Sequence, residues 1–235
     1  MLVSHRKRFI YTKTMKTAGT SRGGLLRTLV PPGGAWSPSH YRDESVTEAG
    51  SSVTGGRTCA LPLVQPHLPA AEIRRASAKD RTAYFKFCVV RNPFDRVVSA
   101  FHFHERAGAT APGADDRPVA EEGSPNPAEV IRRFRDWVRA GGTVPDLDTY
   151  VVGGRLAVDF VIRFESLFAN LETVCERVGV PYEPASLPRL KAGYRPRGMA
   201  PADYYDRETE TIVADRFRFD LEELGYRSPL AASQP

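Results

Sequence analysis

Residues 9–21 read FIYTKTMKTAGTS, an apolar and aromatic opening that runs into small and hydroxyl-bearing residues. FIYTKT (9–14) reads as a buried strand, and the residues after it as a turn entering a helix. Such a turn gathers successive backbone N–H groups around one point. The helix N-terminus adds partial positive charge, so the turn suits a phosphate-like anion. Gly19 permits close backbone approach. Thr20 and Ser21 add hydroxyl donors, and Lys16 adds a mobile full charge. The nucleotide-triphosphate turn Gly-x-x-x-x-Gly-Lys-Ser/Thr is not matched, because Thr20 follows Gly19 where a lysine is needed. A Mg²⁺-bound γ-phosphate is therefore poorly provided for. The same residues also make an ordinary strand–turn–helix with a surface lysine.

A second stretch narrows the choice. AYFKFCVV (83–90) is a strong apolar run, and it delivers Arg91 at the C-terminal end of a strand. Ligands of open α/β sheets sit at that end. After Asn92, Pro93 supplies the fixed φ of a first helical turn. Phe94, Val97, Val98 and Phe101 then fall at i, i+3, i+4 and i+7, one buried stripe. Ser99 lies seven residues after Asn92, about two turns on, so Ser99 and Arg91 can converge on one anion. The alternative is that Arg91 pairs with a carboxylate and Ser99 is a bystander. Two anion sites on one sheet edge imply a ligand with two separated anionic groups.

Further strands are expected at LPLV (61–64) and VDFVIRF (158–164). Helices are expected from Asn126 and Pro127 to Gly141, with Val130, Phe134, Trp137 and Val138 inward. Leu167, Leu171, Val174 and Val178 mark another, ended by Gly179 and Pro181. A last one is capped by Asp206 and carries Ile212, Val213 and Phe217. Strands alternating with helices predict an α/β fold with a mostly parallel sheet flanked by helices. The 235 residues suit a single domain, 1–235. Residues 31–60 and 107–125 read as irregular loops near the ligand mouth.

The net charge is +5, from 33 Lys+Arg against 28 Asp+Glu, a balance that suits an anionic ligand. No dense basic run or basic–aromatic stripe is present, so nucleic acid is not the expected partner. The basic N-terminus is followed by no apolar h-region, and no run approaches a membrane span. A cytoplasmic protein is therefore expected. Arg, Ala, Gly and Pro outweigh Lys in the manner of a GC-rich bacterial genome. Cys59, Cys88 and Cys175 have no metal spacing and no even pairing, and Cys88 reads as a core residue. His102 and His104 form His-x-His, but on a helix the two point to different sides, and no metal site is expected. Asp115, Asp116, Glu121 and Glu122 read as a solvated acidic loop, and Glu165 as a structural group.

KTAGTS (16–21) together with VVRNPFDRVVSAF (89–101) resembles the paired motifs of sulfotransferases that use 3′-phosphoadenosine 5′-phosphosulfate (PAPS), the carbohydrate type in particular. PHLPAAEIR (66–74), VDFVIRFESLFANLETVCERVGVP (158–181) and FDLEELGY (219–226) extend the likeness over nearly the whole chain. The resemblance implies a three-layer, P-loop-like sulfotransferase fold. It implies PAPS as co-substrate, PAP (3′,5′-bisphosphoadenosine) as product, and no metal. Lys16, Thr17, Ala18, Gly19, Thr20 and Ser21 would hold the 5′-phosphosulfate, and Arg91 and Ser99 the 3′-phosphate. Arg195 and Arg197, in the basic stretch KAGYRPRG, are candidates to close on the nucleotide. His67 falls where related sulfotransferases often carry a histidine, and would be the general base. It could instead cap a helix beginning near Pro69, and His40 is a weaker candidate. The acceptor would be a hydroxyl of a small bacterial metabolite, as in secondary metabolism, or of a carbohydrate. A P-loop kinase and a non-catalytic nucleotide-binding module remain as rivals. Oligomeric state is not readable.

Overall fold

Aromatic and β-branched residues at 9–12 and 85–90 make the two strands from which the rest is built. The computed structural model describes residues 2–4, 7–17, 45–47, 50–52, 69–71, 83–109, 126–143, 146–182 and 198–230. Its strands are β1 (Leu2–Ser4), β2 (Phe9–Thr12), β3 (Ser45–Thr47), β4 (Gly50–Ser52), β5 (Phe85–Val90), β6 (Val151–Val152), β7 (Arg155–Leu156) and β8 (Phe160–Arg163). Its helices are α1 (Pro93–Ala109), α2 (Pro127–Arg139), α3 (Leu167–Val178), α4 (Pro201–Tyr204), α5 (Arg207–Arg216) and α6 (Arg218–Glu222). They fall into two units, Met1–Val90 with Asp146–Leu190, and Arg91–Pro145 with Lys191–Pro235.

The first unit is built on a six-stranded sheet of order β3-β4-β1-β2-β5-β8. β2, β5 and β8 run parallel, with Tyr11 opposite Phe87 and Val89 opposite Ile162. The period of two sends Phe9, Tyr11, Phe87, Val89 and Ile162 to one face. There they pack with Leu171, Val174, Cys175 and Val178 of α3. Ile10, Cys88 and Val90 alternate with them and are equally buried, as the central strands of a parallel sheet require. Burial pushes the Cys175 thiol upward in pKa, so it stays a neutral core group. Gly179 ends α3 in a left-handed conformation (φ +64°), a C-terminal geometry that glycine adopts without steric cost.

The antiparallel edge differs from the expectation of loop at 31–60. β3 and β4 pair with each other, and β4 pairs with β1. SVT and GSS have no apolar alternation to announce a strand. Their place comes from backbone hydrogen bonds to a neighbour. The expected strand at 61–64 lies outside the described residues, as do 110–125. The helix that precedes the latter runs on to Ala109.

The second unit is helical. Asn92 caps α1, with Oδ1 accepting the Phe94 N–H at 3.0 Å and its carbonyl accepting the Arg96 N–H at 2.9 Å. Asn126 caps α2 in the same way. The predicted stripe of α1 is fully inward and meets Val130, Phe134 and Val138 of α2, and Tyr204, Tyr205, Val213 and Phe217. Phe134 sits edge-on to Phe101, Tyr204 and Tyr205 at centroid distances of 5.1–5.5 Å. Arg96 is fully buried, with its guanidinium 4.5 Å from the Phe217 ring centre. His102 and His104 do part company. His102 is buried, with Nε2 2.7 Å from the Tyr204 hydroxyl, while His104 is exposed beside Trp137. No helix among the described residues is long and apolar enough to cross a membrane.

Candidate active site

β2 ends at Thr12, and the chain turns at once. Thr14 Oγ1 donates to the carbonyl of Val89 on the neighbouring strand. The Thr14 and Thr17 hydroxyls are 2.8 Å apart, and Thr17 Oγ1 also donates to the Thr14 carbonyl at 3.1 Å. Both threonines are buried, so these bonds are sheltered from water. Between them the Met15 N–H donates to Oδ2 of Asp146 at 2.5 Å. Asp146 is itself only 3% exposed, and its carbonyl accepts the N–H and the hydroxyl of Thr149 at 3.0 and 2.7 Å.

This clamp surrounds a half-buried Lys16 whose φ is +57°. A side-chain-bearing residue in the left-handed region costs about 1–2 kcal/mol. It persists where its surroundings over-determine it. A hydrogen bond to a charged group contributes about 1.5–3 kcal/mol, so Asp146 and the threonine pair can offset that strain. A left-handed residue in a tight turn aims consecutive N–H groups into one concavity, the geometry that receives anions. Met15 is not one of those donors, because its N–H is committed to Asp146.

The second candidate group begins where β5 ends. Arg91 Nε donates to Oδ2 of Asp95 at 2.6 Å, and Nη2 lies 2.5 Å from the same oxygen. The carboxylate pairing raised as the alternative to anion binding is therefore present. Asp95 occupies the first turn of α1, and Ser99 lies one turn further along the same helix face. Asn92 Nδ2 donates to the Arg227 carbonyl at 3.0 Å, which ties the start of α1 to the chain beyond α6.

Of the residues singled out in the sequence, Lys16, Thr17, Arg91 and Ser99 are described. Ala18, Gly19, Thr20, Ser21, His67, Arg195 and Arg197 lie outside the described residues. Sequence reasoning missed two carboxylates. Asp95 carried a signal, the i, i+4 spacing from Arg91. Asp146 carried none, since it lies 131 residues from its partner.

Comparison with known families gives one match. Residues 1–151 of the 235 match the profile described as the sulfotransferase family, and these residues include both turns. No curated protein matches the chain.

Proposed function

The chain belongs to the sulfotransferase family, and from that premise we propose that it moves a sulfuryl group from PAPS to a hydroxyl of a small-molecule or carbohydrate acceptor. The observation that carries this reading is the clamped left-handed turn at Lys16, a cationic residue within a backbone geometry suited to a phosphate oxygen. The donor set matches the charge of PAPS. Lys16 and the hydroxyl-rich turn suit its 5′ end, and the Arg91 guanidinium with the Ser99 hydroxyl suits its 3′-phosphate. PAPS, when bound, supplies the sulfuryl group, and PAP is released.

The chain's own residues act by position and charge. Lys16 offsets negative charge on the phosphate oxygen from which the sulfur departs. His67 accepts the acceptor hydroxyl's proton as the oxygen bonds to sulfur, so the proton ends on the imidazole. Arg91 and Ser99 fix the nucleotide end, which aligns the sulfur with the incoming oxygen. This chemistry asks for no Gly-Lys pair around a metal-bound triphosphate, in keeping with Thr20 after Gly19.

Thermal-shift titration tests the donor. A shift with 3′,5′-bisphosphoadenosine and none with ATP–Mg²⁺ is expected, and the reverse pattern makes the protein a kinase. Transfer of labelled sulfate from PAPS to fractionated extracts then identifies the acceptor. Binding without transfer in any fraction leaves a nucleotide-binding module and overturns the enzyme reading.

A further inference from the structure

We propose that Asp146 is a positioning residue that holds the Lys16 turn in its anion-receiving shape before any ligand arrives. The inference builds on the PAPS reading above and adds a residue to it.

Three features converge. Asp146 is almost fully buried, and its Oδ2 accepts a backbone N–H. That N–H belongs to Met15, the residue immediately before the left-handed Lys16. Asp146 is in turn fixed by Thr149, itself 2% exposed, through two hydrogen bonds to the Asp146 carbonyl. The Thr14 contact to Val89 anchors the strand side of the turn, and Asp146 anchors its loop side. With both ends held, rotation of Lys16 to the right-handed region would pull Met15 off its acceptor.

A carboxylate near an anion-binding turn opposes the anion by charge alone. Its burial here is explicable if shape gained outweighs charge opposed, because a turn ordered in advance binds without an ordering cost. The role needs an acceptor oxygen at this position and no negative charge. Asparagine can therefore replace Asp146, whereas alanine cannot.

The test compares wild type, Asp146→Ala and Asp146→Asn in the full chain. Amide hydrogen exchange of the unliganded protein is read at Met15 and, as a control, in α3. Alanine is expected to speed Met15 exchange by about tenfold or more, the loss of one sheltered bond, with α3 unchanged. Asparagine is expected to stay within about threefold of wild type. Affinity for 3′,5′-bisphosphoadenosine should fall about tenfold in the alanine variant and recover in the asparagine variant. Unchanged Met15 exchange in alanine overturns the proposal, as does an asparagine variant that behaves like alanine. Should alanine fail to fold, asparagine alone decides by the same threshold. Bisphosphate binding equal in all three variants also overturns it and leaves the PAPS reading standing. Absence of binding in wild type defeats the PAPS reading, and the exchange data still decide whether Asp146 holds the turn.

Discussion

Arg91 and Asp95 form an ion pair across one helical turn, with Arg91 Nε 2.6 Å from Oδ2. The two side chains are only 12% and 23% exposed. The pair holds the guanidinium in a single orientation, which lowers the entropy lost when it meets an anion. Asp95 also places a negative charge beside that anion. Lysine would keep the positive charge of Arg91 but lose the planar fork. Arg91→Lys is therefore expected to weaken 3′,5′-bisphosphoadenosine by about tenfold or more in calorimetric titration. Asp95→Asn retains an acceptor without the charge and should bind the nucleotide at least as tightly. Wild-type affinity in Arg91→Lys would reduce the guanidinium to a structural partner of Asp95.

Lys16 combines a strained backbone with the charge assigned to the leaving phosphate, and two substitutions separate these roles. Gly adopts φ +57° without a Cβ penalty, and Ala does not. Lys16→Gly should be more stable than Lys16→Ala by about 1 kcal/mol in denaturant melts. Both should lose about two decades or more of turnover, since neither carries the charge. Equal stability of the pair contradicts a turn held left-handed. Near-wild-type turnover in either removes Lys16 from the chemistry.

What could be read in the sequence was local. The stripe Phe94, Val97, Val98, Phe101 and the caps Asn126 and Asp206 are set by neighbours a few residues away, and each stands as expected. β2 and β5 were legible because strands buried on both faces carry continuous apolar runs, and β8 because Phe160, Val161 and Ile162 are apolar and β-branched or aromatic. β1, β3 and β4 were not, because three-residue strands carry too few side chains to show a pattern and owe their place to backbone pairing, β3 with β4, and β1 with β2 and the distant β4. The same limit applies at the site. Lys16 and Thr17 announced a turn through composition, but the Asp146 carboxylate that fixes it comes from a segment with no pattern of its own. Arg91 was read for its charge toward a ligand with a carboxylate pairing as the alternative, and the carboxylate, Asp95 four residues on, was not named.

Asp206 offers a pH test. Burial pushes its carboxyl upward, but hydrogen bonds from Thr209 and the charges of Arg135 and Arg139 outweigh that, so its pKa lies below the ordinary value. The Thr209 N–H donates to Oδ1 at 2.9 Å, and Arg139 Nη2 donates to Oδ2 at 2.8 Å. A carboxylate with a depressed folded pKa adds stability above its unfolded pKa. That stability is lost as pH falls through the folded value, because the unfolded chain binds the proton first. Asp206→Ala should cost about 1 kcal/mol at pH 7, as a lost helix cap does. The difference from wild type should shrink in urea melts at about pH 3. A gap that does not change with pH would contradict the ionic part of the cap.

Thr12 and Thr14 are two residues apart, both buried, and differ in what their hydroxyls meet. Thr12 Oγ1 has no hydrogen-bond partner among the described residues. Thr14 Oγ1 donates to the Val89 carbonyl and lies 2.8 Å from Thr17 Oγ1. Valine has nearly the shape of threonine without the hydroxyl, and it suits an extended, buried backbone. Thr12→Val removes a desolvated group that gains nothing from burial, so stability should rise by about 1 kcal/mol. Thr14→Val takes a donor from a sheltered carbonyl and a partner from Thr17, and should cost about 1–2 kcal/mol. Denaturant titration of the two variants should thus give opposite signs for one chemical change. Destabilisation by Thr12→Val would mean that its hydroxyl meets a partner beyond the described residues, and a neutral Thr14→Val would show that the strand side of the Lys16 turn is held by something other than this bond.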